Sequence, residues 1–247
     1  MRMTSGEKRL AERLEQKLDA DYLLWYDVPV GPKQSHPDFV ILHPRRGLLI
    51  LETKDWKLET IQRARKDLWT IAPEGRPKSV ISPLLQARHC AIVVVNALQR
   101  DPQLVQTTGA HQGKLAFPWS YGVVFTRITR KQFDAAGLGE AMASHHVICS
   151  DEMLEAVDSE QFQQHLWNMF PHAFGGAMSL PQLDRVRWNM FPEVRVQTLK
   201  EVCLTTRMQT PNCPASCASW IFNKNNWPVH WATAIGLSMA LPVQAKP

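Results

Sequence analysis

Three residues, Asp38, Glu52 and Lys54, bracket two apolar runs in a way that gathers them at one point. The runs are Phe39–Leu42 and Leu48–Leu51, separated by His43-Pro44-Arg45-Arg46-Gly47, a strand–turn–strand pattern. With the turn centred on Arg45, Phe39 faces Leu51 and the next pair is Asp38 with Glu52. Directly opposed residues share a sheet face, with Cβ atoms about 4.5–5.5 Å apart. Lys54, two positions on, projects to the same face, while Thr53 points away. Opposed like charges destabilise a sheet, and a desolvated carboxylate pair resists ionisation. Such a trio calls for a cation beyond the Lys54 ammonium. Mg2+ or Mn2+ on Asp38 and Glu52 would meet that demand and would polarise a phosphodiester. Lys54 would orient the attacking water or stabilise developing negative charge. The competing reading is an ordinary charged strand end with a bulge that breaks the register. Glu-x-Lys alone arises often by chance. Pro37-Asp38, the apolar hairpin and Glu52-x-Lys54 together are far more specific.

Other residues extend the constellation. Glu7 lies on the apolar face of a helix with Leu10, Ala11 and Leu14, and is either a third carboxylate and metal ligand or the N3 member of a capping box with Thr4; the two roles are compatible. Gln86 shares a helical face with Cys90, Val93 and Ala97, and reads as an inward amide or as a substrate contact. Trp56, Lys57, Arg63, Arg65, Lys66 and Trp69 mix aromatics with cations, which suits a nucleic-acid backbone and unstacked bases, or equally a solvated loop with tryptophans in the core. His145 and His146 are adjacent on an extended segment and so face opposite sides. Cys203, Cys213 and Cys217 lack the paired spacing of a zinc site.

These groups need a scaffold. Thr4 caps a helix over about Ser5–Asp19, and Tyr22–Val28 reads as a short strand. Both faces of the central hairpin are apolar, so it lies in mid-sheet with cover on both sides. Leu58–Ile61 and Leu68–Ile71 are candidate additions to that sheet. Ser82-Pro83 opens a second helix, with Ser82 as cap, running to about Gln99. Tyr121–Thr126 and Val147–Cys149 read as strands, and Asp151–Met169 as a helix. Trp-Asn-Met-Phe-Pro occurs at 167–171 and 188–192, two similar helix ends. The pattern is α/β, a mixed central sheet flanked by helices.

The chain has 247 residues and a formal charge of +5. Residues 1–198 hold 24 basic and 22 acidic residues, so bulk charge carries no argument for a nucleic-acid partner. Five scattered cysteines suit a reducing compartment, and the polar amino terminus has no signal-peptide core, which makes the cytoplasm the expectation. Charged residues fall to 5 of 49 after Leu199, from 46 of 198 before it. Residues 199–247 therefore read as an irregular tail behind a domain over 1–198. The uncharged run Trp227–Val243 is borderline for a membrane span, and Pro228, His230 and Pro242 argue against one.

Pro37-Asp38 with Glu52-Thr53-Lys54 resembles the signature of PD-(D/E)xK nucleases, the restriction-endonuclease-like fold. Gly6-Glu7, Gly47, Lys54-Asp55-Trp56 and Ser82-Pro83-Leu84-Leu85-Gln86 are similar to one branch of it, the nuclease-related (NERD) domain, over roughly 5–130. This resemblance implies a DNA-processing or repair nuclease in which Asp38 and Glu52 bind Mg2+, Lys54 assists the attacking water, and Glu7 and Gln86 complete the site. Ser82 stands where the family usually has Asn. The family is often fused ahead of a superfamily 1 DNA helicase. In a shifted frame, permitted codons for Ser219–Pro247 can encode a segment ending GVAGSGKT, which fits a Walker A phosphate loop. A frameshift near Thr198–Leu199 in a nuclease–helicase gene, or a wrong gene model, accounts for that tail. A non-catalytic DNA-binding module and a fragment of a broken gene are the alternatives.

Overall fold

A computed structural model describes residues 3–31, 35–190 and the backbone of 221–222. Helix α1 (Ser5–Lys17) opens with the expected capping box: Thr4 Oγ1 accepts the Glu7 amide, and Glu7 Oε2 accepts the Thr4 amide. Strands β1 (Leu23–Tyr26), β2 (Phe39–His43) and β3 (Gly47–Lys54) form an antiparallel meander. Strand β7 (Trp119–Phe125) then pairs parallel to β3, and β8 (Val147–Ile148) parallel to β7. The two residues of β9 (Ile221–Phe222) pair with the outer edge of β1, giving the order β8-β7-β3-β2-β1-β9. The fold is a mixed α/β sheet flanked by helices, as the sequence indicates.

The hairpin is buried on both faces, because every residue of Phe39–Leu42 and Leu48–Leu51 is shut off from solvent. Val40, Leu42, Leu48 and Ile50 meet helix α2 (Pro83–Leu98) through Ala91, Val94, Val95 and Leu98, with α5 (Leu180–Met190) behind it. Phe39, Ile41, Leu49 and Leu51 meet Leu10 and Leu14 of α1, and Phe162 and Leu166 of α4 (Ser159–Trp167). At about 25 cal/mol per Å2, burying each of these large side chains contributes roughly 1.5–3 kcal/mol. Gly47 sets the turn. It holds φ +103, and a Cβ there would lie 2.2 Å from the Pro118 carbonyl that accepts the Leu48 amide. No other residue fits without displacing β7.

Several elements differ from the sequence expectation. Leu58–Ile61 and Leu68–Ile71 do not extend the central sheet. Leu58–Thr60 is a 3-10 turn, and β4 (Ile61–Ala64), β5 (Leu68–Ile71) and β6 (Lys78–Ile81) make a separate antiparallel sheet inserted between β3 and α2. Trp69, fully buried, roots this small sheet against Phe125, with ring centroids 6.1 Å apart. The helix expected over Asp151–Met169 is shorter, because Asp158 caps α4 and a 3-10 turn precedes it. Pro83 stands at the first turn of α2 as expected, but Ser82 Oγ accepts no helix amide and is buried without a partner. Helix α3 (Arg130–Ala135), opened by a Thr129 capping box, follows β7. No helix among the described residues is long and apolar enough to cross a membrane. Cys203, Cys213, Cys217, Trp227–Val243 and, apart from the β9 backbone, the whole 199–247 tail lie outside the described residues.

Candidate active site

The β2–β3 ladder follows the expected register from His43↔Gly47 to Phe39↔Leu51. One step further the backbone leaves the ladder. Asp38 Oδ2 accepts the Thr53 amide at 2.7 Å, so a side chain takes the place of a backbone partner. The Asp38 carbonyl turns to β1 and accepts the amide of Asp27, a residue held at φ +50. Asp38 is thereby fixed beside Glu52, whose side chain is almost wholly buried on β3. Lys54 Nζ donates to Glu52 Oε1 at 2.6 Å and to Gln86 Oε1 at 3.1 Å, and lies 5.5 Å from the centre of the Trp56 ring. Asp38, Glu52, Lys54 and Gln86 therefore meet at the end of the hairpin away from its turn.

This site holds more negative charge than it neutralises. Burial raises the Glu52 pKa, opposed by the charge and hydrogen bond of Lys54 and reinforced by Glu7. Asp38 is pushed up to about 7, first by burial and next by the Glu52 charge, against the Thr53 amide and Lys54. Cys90 of α2 feels the same field: burial, then Glu52 and Asp38, push its thiol up to about 11. One ammonium does not satisfy two desolvated carboxylates, so the pocket favours a further cation.

Glu7 approaches without joining a common ligand set. Its Oε2 accepts both the Thr4 amide and the Tyr26 hydroxyl, each at 2.8 Å. Among the described residues no three Asp, Glu, His or Cys side chains converge to hold one ion. Asp38 and Glu52 form the close pair, and Glu7, expected as a third metal ligand, has Oε2 engaged by Thr4 and Tyr26 and reaches the pair through its charge. One oxygen of each member of the pair is engaged, Oδ2 of Asp38 and Oε1 of Glu52. Two carboxylates, each with a free oxygen, are a donor set of the kind Mg2+ takes alongside water and phosphate oxygens.

Two positioning residues escaped the sequence reading. Tyr26 pairs with Phe39 across β1 and β2, so extending the register one strand outward would have found it. Burial and Glu7 raise its pKa, which keeps the phenol a donor. Asp55, next to Lys54, clasps the start of α1 to the ends of β3 and β7. It accepts from Ser5 Oγ at 2.9 Å, Arg9 Nη2 at 2.7 Å and Arg127 Nε at 2.9 Å, and from Thr126 Oγ1. Burial alone would raise its pKa, but these donors outweigh it and hold the carboxyl below its ordinary value. Gly6 permits the clasp, since a Cβ there would sit 2.9 Å from Asp55 Cβ and from Thr126 Oγ1.

Gln86 is not an inward amide. It is exposed, and the buried stripe of α2 is Ala87, Ala91, Val94, Val95 and Leu98. Lys57, Arg63, Arg65 and Lys66 are exposed on and beside the small sheet. Trp56 is half-buried and packs on Trp69, 6.0 Å between ring centroids, so neither ring stands free for an unstacked base. His145 and His146 lie on a 3-10 turn and not on an extended segment, so their rings are 4.3 Å apart instead of facing opposite sides; His146 also stacks on Tyr121 and bonds its carbonyl oxygen.

Residues 3–126, half of the chain, match the family model of the nuclease-related domain, NERD, and the chain belongs to that family. No curated protein and no solved structure matches.

Proposed function

We propose that this member of the nuclease-related family hydrolyses phosphodiester bonds of DNA with Mg2+ or Mn2+, through Asp38, Glu52 and Lys54 in a PD-(D/E)xK arrangement. The observation that supports it is the buried Glu52 and half-buried Asp38 carboxylates side by side at one end of the hairpin, both with raised pKa and with Lys54 the one cation bonded to the pair among the described residues. Asp38 and Glu52 would hold the cation. A bound divalent ion supplies Lewis acidity at a phosphoryl oxygen and a more acidic water. Lys54 has three N–H donors. Glu52 and Gln86 take two of them, which leaves one for a phosphoryl oxygen as negative charge develops. The Gln86 amide nitrogen keeps its own donors, because only its oxygen faces Lys54. Glu7, anchored by Thr4 and Tyr26, adds negative potential that favours the ion.

One observation favours a second reading, a DNA-binding module without cleavage. Glu52 is ion-paired with Lys54, and Glu7 is committed to Thr4 and Tyr26, so the carboxylates do not form a three-member ligand set among the described residues. Cleavage of circular and linear DNA by the full chain with Mg2+, Mn2+ or EDTA, beside Glu52→Ala and Lys54→Ala, separates the two. The nuclease reading expects metal-dependent cutting that falls on the order of a hundredfold or more in each variant. Equal cutting by the variants would sink it.

In this reading the nuclease-like unit spans 1–198 and acts in the cytoplasm beside a helicase, with 199–247 the product of a shifted frame. Coding DNA that yields no Walker A loop in that frame would remove the helicase.

A further inference from the structure

We infer that the small sheet of β4, β5 and β6 is a contact surface for the sugar–phosphate backbone of duplex DNA, an inference that rests on DNA being the substrate. Residues 57–81 carry six basic residues, Lys57, Arg63, Arg65, Lys66, Arg76 and Lys78, against three acids, Glu59, Asp67 and Glu74. The rest of residues 1–190 holds 17 basic and 18 acidic residues, so the excess positive charge of this body is concentrated in the small sheet and its flanks. All six cations are exposed, and none is ion-paired among the described residues.

The faces of the sheet are chemically distinct. Trp69 and Ile71 turn inward and are buried. On the other face Arg63 pairs with Thr70, and Thr70 with Ser79, a row of hydrogen-bond donors across all three strands. At adjacent-strand spacings of about 4.8 Å this row is roughly 10 Å wide. Arginine, serine and threonine are the side chains that commonly hold phosphate oxygens. Leu68 and Ile81, paired on the same face and 43% and 61% exposed, offer apolar contact to deoxyribose.

The position suits a strand leading to the active site. Trp69 packs on Trp56, Trp56 lies under Lys54, and the Ser82 amide ties the start of α2 to the Asp67 carbonyl at 2.9 Å. The small sheet is therefore tied to the site through these contacts. Single-strand binders offer aromatic rings to successive bases. Trp69 is buried and Trp56 is half-buried against it, so neither offers an open ring face to successive bases, and the surface suits a nucleic acid whose bases are already stacked on each other.

The test is binding of labelled duplex and single strand to the full chain by fluorescence anisotropy, in EDTA so that nothing is cut, from about 50 to 200 mM salt. Each phosphate neutralised contributes about −0.9 to the slope of log K against log salt. Arg63→Gln with Arg65→Gln should weaken duplex binding and lower the magnitude of that slope by about 2. Arg63→Gln should lower it by about 1. Arg100→Gln, at the end of α2, should leave it unchanged. Matched melting curves confirm that each variant is folded. An unchanged slope in the small-sheet variants, or tighter binding of single strand than of duplex, overturns the inference. Glu52-dependent cutting with an unchanged slope would sink the surface and keep the nuclease. The expected slopes without cutting would keep the surface and sink the nuclease.

Discussion

Replacing Asp38 by asparagine should make the metal-free protein more stable at alkaline pH. An unfolded Asp titrates near 3.9, whereas Asp38 in the fold is pushed up to about 7 by burial and by Glu52. Between those values the folded chain holds a proton that the unfolded chain has released. Stability from this group is therefore fully present below about pH 4 and is lost as pH rises through 7. Three units at 1.36 kcal/mol each give roughly 4 kcal/mol, and solvent access to this half-buried group brings the expected loss to about 2–4 kcal/mol. The amide of the variant does not titrate, so it would carry no such loss, and its oxygen could still accept the Thr53 amide. The assay is urea unfolding of wild type and Asp38→Asn in EDTA at about pH 4.5 and pH 8. Asp55 and Asp101, whose pKa values are lowered, give the opposite pH trend but do so equally in both proteins, so the difference reports Asp38 together with its coupling to Glu52. The advantage of the variant should grow by about 2–4 kcal/mol between the two pH values. Millimolar Mg2+ should then raise wild-type stability at pH 8 and leave the variant unmoved. A stability difference that does not change with pH would refute the electrostatic account of the site.

The clasp and the thiol give two further predictions. Gly6→Ala forces a methyl to within 2.9 Å of Asp55 and Thr126, which should cost about 1–3 kcal/mol and lower the melting temperature by several degrees; an unchanged melt would show that α1 is not held as described. Cys90, pushed up to about 11, should alkylate with iodoacetamide on the order of a hundredfold more slowly at pH 8 than a free cysteine, and Glu52→Gln should speed it; peptide mapping that finds no acceleration would remove Glu52 as a cause of the shift.

The site was legible where the code is local and binary. Asp38 and Glu52 stand out because they end two wholly apolar runs, and a turn fixed by Gly47 sets the pairing that brings them together. What the sequence hid depends on partners far along the chain. Leu68–Ile71 would look the same in either sheet; it is the docking of Trp69 on Phe125 that places it in the small one. Gln86 was misplaced because Ala91–Val95 is apolar all round, so that two stripes of α2 are equally credible from periodicity and only the packing on β3 selects one. Asp55 reads as one more charged residue after a motif, since its four donors come from positions 5, 9, 126 and 127.

The parallel pairing of β3 with β7 also sets a timetable for biosynthesis. Lys54 ends β3 and Phe125 ends β7, 71 residues later. At about 5–20 residues per second a ribosome needs roughly 4–14 s to supply that strand. Through this interval the inner edge of the hairpin is open, and the strands bear eight large apolar side chains. Helix α1 is made first and can shield one face at once, while α2 arrives to shield the other only after residue 98. Aggregation of the nascent chain should therefore be governed by how fast α2 is delivered. Synonymous codons that slow translation between β3 and α2 should lower soluble yield without changing a single residue of the finished protein.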